Sequence, residues 1–116
     1  MVKTNEPEFT NKISISLEIP PPLALIFGVE TARWTVFHRQ FNMGTRLGDL
    51  LSLYALNYPE FRKRVFDPVR HEFNTGLSLT RNGILLNVSQ QLESELLDGD
   101  RVTIIPDHLP GQNTPD

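Results

Sequence analysis

The feature that most constrains this chain is a strictly alternating segment that ends at a run of prolines. Residues Ile13 to Ile19 place four aliphatic side chains on one face and two serines and a glutamate on the other. Such alternation is typical of a β-strand with one buried face. Pro20 to Pro22 follow directly, and proline cannot donate a backbone hydrogen bond to a sheet, so the strand must end there.

The next segments predict a second strand and one main helix. Ala32 to Phe41 is rich in aromatic and β-branched residues, which favours a strand antiparallel to the first. After a turn at Asn42 to Gly44, Thr45 is the predicted N-cap of a helix. Apolar residues then recur at the helical spacing i, i+3, i+4, i+7 and i+11, and form one stripe: Leu47, Leu50, Leu51, Tyr54 and Tyr58.

One residue of the main helix lies outside the apolar stripe, and a short helix and a connector are expected to follow this helix. Leu56 points away from the stripe, so it is either covered by the next segment or exposed for a partner. Pro59 suits the first turn of a short helix over Pro59 to Phe66. Val69 to Asn74 is interpreted as a mixed connector.

The C-terminal half predicts a hairpin and a last strand. Gly76 to Arg81 and Ile84 to Val88 flank Asn82-Gly83, the strongest two-residue hairpin signal. Asp98-Gly99-Asp100 predicts a tight turn, followed by a strand over Arg101 to Ile105. The order β-β-α-β-β-β indicates an α+β fold: a mixed sheet of about five strands with one main helix packed across it.

Length and composition limit the kinds of protein this chain can be. It has 116 residues, enough for one domain with a single core. It has no cysteine, which excludes a disulfide scaffold, a thiolate metal site and a cysteine nucleophile. The net charge of −3 argues against general nucleic-acid binding. We expect a flexible tail over residues 1–12, a domain over 13–106 and a second flexible tail over 107–116.

Three motifs in this order resemble the MoaD/ThiS sulfur carriers. Gly44 to Leu51 is similar to their "T-v-g-D-L-L" helix start, and Leu79 to Gly83 to their "v-l-V-N-G" hairpin. Leu96 to Pro106 looks like their "L-k-D-G-D-x-V-x-i-x-P" ending. The ubiquitin-related modifier, a eukaryotic relative, matches comparably through Leu23 to Gly28. The resemblance covers about Ile13 to Gly111 and implies the ubiquitin-like β-grasp fold.

The resemblance also implies a function, which is not catalytic. In this family the chain ends in Gly-Gly and enters a narrow slot of an ATP-dependent activating enzyme, which adenylates the terminal carboxylate. The product becomes a thiocarboxylate, passed to an acceptor enzyme, or is linked to target lysines. The paired glycines align with Pro110-Gly111, so Gly111 is the expected activated terminus, and Pro110, Leu109 and His108 are expected to lie in or at the slot. The carrier itself binds no cofactor, since the partner enzyme uses the ATP, and an apolar patch on the open sheet face is expected to dock that enzyme.

The chain departs from the family pattern at this terminus. Pro110 replaces the first glycine, and residues 112–116 follow Gly111, which therefore has no terminal carboxylate. The expected function is a sulfur carrier or protein modifier activated at Gly111 after a peptidase, such as a metalloprotease, removes residues 112–116. The alternative is a non-catalytic ubiquitin-like interaction module that has lost the terminal Gly-Gly.

Other candidate sites have ordinary interpretations in this sequence. Asp98 and Asp100 are more typical of a turn than of a metal or acid–base pair. The three histidines, His38, His71 and His108, have no ligand-pair spacing, so no metal site is expected. Arg62 to Arg64 is more typical of a solvated helix face than of an RNA site. Without a signal peptide or a membrane-spanning segment, the expected location is the cytoplasm.

Overall fold

The computed structural model describes residues 11–107 of the chain. Five strands form one sheet in the order β2-β1-β7-β5-β6, and a separate two-stranded sheet is formed by β3 and β4. The strands are β1 (Lys12–Ile19), β2 (Thr35–Asn42), β3 (Phe66–Asp67), β4 (Glu72–Phe73), β5 (Leu77–Arg81), β6 (Ile84–Leu86) and β7 (Arg101–Pro106). The α-helices are α1 (Pro21–Ala24), α2 (Leu47–Asn57), α3 (Pro59–Arg64) and α4 (Val88–Gln91), and a short 3-10 helix follows α1 over Leu25–Phe27.

The last strand lies at the centre of the large sheet. β7 runs parallel to β1, with Leu17 opposite Val102, and antiparallel to β5, with Leu79 opposite Ile104. The hairpins β1–β2 and β5–β6 are therefore joined to one another through β7. The predicted α+β fold, a mixed sheet of five strands with one main helix across it, is confirmed.

The first strand and the main helix supply half of the buried core residues, on the faces that the two periodicities predict. Ile13, Ile15, Leu17 and Ile19 of β1 are all buried. Four residues of the helical stripe are buried as well: Leu47, Leu50, Leu51 and Tyr54. The fifth, Tyr58, lies just after α2 and is half-buried. The strand and the helix thus cover each other's apolar faces.

The predicted N-cap of α2 is wrong by one residue. Arg46 is the N-cap, and its backbone N–H donates to the Asp49 carboxylate at 2.9 Å. The Thr45 hydroxyl instead donates to the carbonyl oxygen of Asn42 at 2.7 Å, so it closes the preceding turn and does not cap the helix. Local competition between a turn and a helix start decides which role a threonine takes.

The middle of the chain contains more structure than its sequence indicates. Residues Val69 to Asn74, expected only to be a mixed connector, include β4, which pairs with β3 through Phe66 opposite Phe73. The short helix α3 ends at Arg64, two residues earlier than predicted. Leu56 is 71% exposed, so the next segment does not cover it. Among residues 11–107, no helix is both long and apolar enough to cross a membrane.

Candidate functional site

The end of β7 is fixed to the neighbouring strand at the point where the predicted functional segment begins. Pro106 lies opposite Leu77, and the Asp107 N–H donates to the Gly76 carbonyl oxygen at 2.9 Å. The Ser78 hydroxyl also donates to the Asp107 carboxylate. His108, Leu109, Pro110 and Gly111, the predicted site residues, lie outside the described residues.

The beginning of β7 is held by a buried carboxylate. Asp100 is 5% exposed, and its Oδ2 accepts hydrogen bonds from the Leu97 N–H at 2.8 Å and from the Arg81 Nε at 2.9 Å. The Asn82 side-chain amide donates to the Asp100 Oδ1 at 2.9 Å. Asp98, in contrast, accepts from the Ser14 N–H at 2.7 Å. The Asp-Gly-Asp segment is therefore a turn, as predicted, and its two carboxylates bind different parts of the sheet.

Opposing effects act on the pKa of Asp100, and the lowering effects are stronger. Burial raises this pKa, because it disfavours the charged carboxylate. Hydrogen bonds from Leu97, Asn82 and Arg81, together with the positive charge of Arg81, lower it. The net result is a pKa below the ordinary value of an aspartate, so Asp100 stays ionised and paired with Arg81 at neutral pH.

The sheet face opposite the helix is open and largely polar. Strand alternation and register place fourteen residues on it: Lys12, Ser14, Ser16, Glu18, Val36, His38, Gln40, Asn42, Ser78, Thr80, Leu85, Arg101, Thr103 and Ile105. At its centre Glu18 accepts a hydrogen bond from Thr103 at 3.0 Å and pairs with Arg101 at 3.4 Å. The apolar patch that the resemblance implies is limited to Val36 and Leu85, which are 42% and 68% exposed, and the half-buried Ile105.

Known structures identify this architecture, whereas sequence comparison alone does not. No protein-family model matches the chain, and no curated protein matches it significantly. Urm1 from Trypanosoma brucei is similar in structure with a TM-score of 0.65 and 23% identity, over 88% of this chain and 98% of that one. SAMP1 from Haloferax volcanii gives a TM-score of 0.64 and 20% identity, over 85% and 99% of the two chains. The chain has the ubiquitin-like β-grasp fold.

A third similar structure comes from a protein complex. The Amycolatopsis orientalis BexX/CysO complex contains a chain with a TM-score of 0.59 and 19% identity, over 84% of this chain and 99% of that one. This similarity and the two above span nearly the whole length of the known chains.

The other titratable candidates do not assemble into a site within this β-grasp unit. His38 contacts Ser16 at 3.1 Å on the open face, and His71 stands at a positive-φ position near Phe66. Within residues 11–107 no three acidic or histidine side chains are arranged to hold a metal ion. His108 lies outside the described residues.

The basic run lies at the edge of a surface cleft of about 810 Å³. Lys63 and Arg64 each pair with Glu60, at 3.6 and 3.0 Å, and all three cations of the run are exposed. Leu56 also lines this cleft, together with residues of α3, β3 and β4. Because the carboxylates of Glu60, Asp67 and Glu72 are nearby, the cleft carries charges of both signs. This balance favours the interpretation of the run as a solvated helix face.

Proposed function

We propose that this chain is a ubiquitin-like sulfur carrier or protein modifier, adenylated at Gly111 after removal of residues 112–116. The observation that carries the proposal is the fixed end of β7. Asp107 is bound to Gly76 and Ser78, and Gly111 follows it by four residues. Four extended residues reach about 14 Å, which is long enough to enter a slot and short enough to keep the enzyme against the domain.

Similar structures support the kind of protein and the kind of partner. They include a small archaeal modifier protein from Haloferax volcanii and CysO, whose structure is known in a complex with BexX. A partner protein that binds the β-grasp unit is therefore a natural expectation for this chain. We propose that this partner is an ATP-dependent activating enzyme, which approaches the open sheet face near Ile105 and Val36.

The proposed chemistry needs a free carboxylate and no catalytic group from this chain. A carboxylate oxygen of Gly111 attacks the α-phosphate of ATP, an acyl-adenylate forms, and pyrophosphate leaves. A sulfur donor or a lysine amine then displaces AMP and gives a thiocarboxylate or an isopeptide bond. While Gln112 is attached, the same carbon is part of a peptide bond, so trimming must come first.

The residues before Gly111 have proposed roles as lining of the enzyme slot. Glycine has no Cβ and passes through a narrow passage, whereas Pro110 is wider and has a fixed φ. We therefore propose a slot with room for one pyrrolidine ring beside Gly111. Leu109 would line the same slot, and His108 would lie at its entrance.

The decisive experiment is ATP–pyrophosphate exchange with an adenylating enzyme from the same organism. We expect exchange with a chain that ends at Gly111, and none with the chain that ends at Asp116. In the trimmed chain, Gly111→Ala is expected to reduce exchange by at least about tenfold, because a methyl group obstructs the slot. A loss of about 1.4 kcal/mol of binding free energy is enough for a tenfold reduction. Equal exchange by the trimmed chain and its Gly111→Ala variant would exclude Gly111 as the activated terminus.

A second function is favoured by Pro110 and by the residues after Gly111. A β-grasp module that only binds a partner needs neither a terminal glycine nor a free carboxylate. Its binding would be unchanged by deletion of residues 112–116. The intact mass of the protein purified from its own cells separates the two: a species ending at Gly111, with or without sulfur, supports the carrier or modifier. Exclusively full-length protein supports the interaction module.

A further inference from the structure

The turn between β5 and β6 contains an asparagine followed by glycine, a pair with a specific chemical liability. Glycine carries no Cβ, so its backbone nitrogen can approach the side-chain carbon of the preceding asparagine more easily than any other residue's can. Asn82 and Gly83 both have positive φ, 53° and 85°, as a tight hairpin turn of this kind requires.

In this protein the Asn82 side chain connects the hairpin to the beginning of β7. Its Nδ2 donates to the buried Asp100 at 2.9 Å, and its Oδ1 accepts from the Arg101 N–H at 2.8 Å. Its backbone N–H donates to the Arg101 carbonyl oxygen at 2.8 Å. The neutral side-chain amide of Asn82 thus joins the Asp100 carboxylate to β7. This role requires a group that can both donate and accept a hydrogen bond, as a side-chain amide can.

We propose that Asn82 is a modification site, where loss of the side-chain amide converts the link between the hairpin and β7 into a repulsive contact. The Gly83 nitrogen attacks the Asn82 Cγ, the new N–Cγ bond forms, and the Cγ–Nδ2 bond breaks. Ammonia leaves with the proton that the Gly83 nitrogen gives up. Water then opens the cyclic imide at either carbonyl and leaves an aspartate or an isoaspartate at position 82.

The product places a second carboxylate beside a buried one. In the aspartate product the donor to Asp100 Oδ1 is lost, and the new negative charge lies about where that donor was. Among residues 11–107, Arg81, the neighbour of Asn82 in sequence, already pairs with Asp100 at 2.6 Å, and Arg101, which is bonded to Asn82 through its backbone, pairs with Glu18 on the open face. Glu95 contributes its backbone carbonyl to Arg81, and its carboxylate is not in that contact. The added charge therefore has no cation of its own to neutralise it.

The folded structure also restrains the reaction that forms this product. Ring closure requires the Asn82 side chain and backbone to leave the turn conformation. In the folded state three hydrogen bonds to Asp100 and Arg101 hold them there. The modification therefore proceeds through open states of the hairpin, whose population depends on the free energy of local opening.

The first test measures deamidation site by site in the full chain. The protein is incubated at mildly alkaline pH with and without denaturant, and the peptides are mapped by mass spectrometry. Asn87, which precedes Val88 in the same part of the chain, is the internal control. In denaturant we expect Asn82 to deamidate faster than Asn87. In the folded protein we expect Asn82 to deamidate at least about tenfold more slowly than it does in denaturant, which corresponds to a free energy of local opening of about 1.4 kcal/mol. Equal rates in folded and unfolded protein, or no reaction at Asn82 in either, would overturn the proposal.

The second test separates charge repulsion from simple loss of a contact. Asn82→Asp is compared with Asn82→Ser and with the matched exposed control Asn87→Asp. At pH 7 we expect Asn82→Asp to lower the denaturant midpoint more than the other two variants do. Below about pH 4, where the paired carboxyls take up a proton, its deficit should shrink to that of Asn82→Ser. If the midpoint of Asn82→Asp is lowered by the same amount at every pH, or is not lowered at pH 7, no repulsive contact forms. If this variant is unfolded at pH 7, its recovery of structure on acidification is measured instead.

Discussion

Among single residues, Asp100 makes the clearest contribution to the fold. It is buried, ion-paired with Arg81, and bonded to the Leu97 backbone and the Asn82 amide. The sequence predicts a turn at this place, because aspartate and glycine are typical of turns. It cannot predict the burial, because Arg81 and Asn82 are 19 and 18 residues away along the chain. Only the pairing of β5 with β7 brings these groups together.

We predict that Asp100→Asn costs about 3 kcal/mol at pH 7, because Arg81 loses its buried charge partner. The pKa of Asp100 is lowered in the folded state, so the unfolded chain takes up the proton first as the pH falls. The stability due to Asp100 is therefore present above about pH 4 and is lost as the pH falls through the lowered pKa. Denaturant unfolding of the variant and the unchanged protein should converge there, since a protonated aspartate resembles asparagine.

The control for this prediction is Glu30→Gln, which removes an exposed acid from the loop before β2. We expect that variant to follow the unchanged protein within about 0.5 kcal/mol at every pH. A cost of Asp100→Asn that stays constant down to pH 2 would mean that shape, and not charge, accounts for the loss.

Among the elements, helix α2 shows where periodicity is sufficient and where it is not. The apolar stripe predicts its buried face correctly, because the sheet offers that face a continuous apolar surface. Its first turn could not be predicted in the same way. The Leu47 and Gly48 N–H groups donate to the carbonyl oxygens of Ser94 and Leu92, each at 2.9 Å. These partners lie more than 40 residues away, so no local capping signal announces them.

Leu51 and Leu56 of α2 provide a matched pair of identical residues in opposite environments. Leu51 is fully buried, whereas Leu56 is 71% exposed. We predict that Leu51→Ala destabilises the protein by about 2–5 kcal/mol through lost burial and a cavity. Leu56→Ala should change stability by no more than about 0.5 kcal/mol. Urea unfolding measures the free energy of unfolding of both variants. If Leu56→Ala lowers it by several kcal/mol, another part of the chain packs against Leu56.

For the whole molecule, the central position of β7 in the large sheet makes this last strand part of the core. Within residues 11–107, the buried residues that form the core all lie between Ile13 and Ile104, and β7 is bonded on both sides. The order of the five strands of the large sheet and the main helix could be predicted, because β1 and α2 have clear periodicities and Asn82-Gly83 marks the β5–β6 hairpin. The short strands β3 and β4 could not be predicted in this way. The end of β7 could not, because the contacts of Asp107 with Gly76 and Ser78 join residues about 30 positions apart.

This arrangement predicts that trimming leaves the domain intact. Chains ending at Gly111 and at Asp116 should have the same thermal midpoint, because no core residue lies beyond Ile104 in the part described by the structure. A chain ending at Asp100 should not fold, since the two hairpins then lose the strand that joins them. Circular dichroism on the three chains tests both statements. A lower midpoint for the chain ending at Gly111 would assign residues 112–116 a place in the folded domain, and their removal would then weaken the carrier that it is proposed to activate.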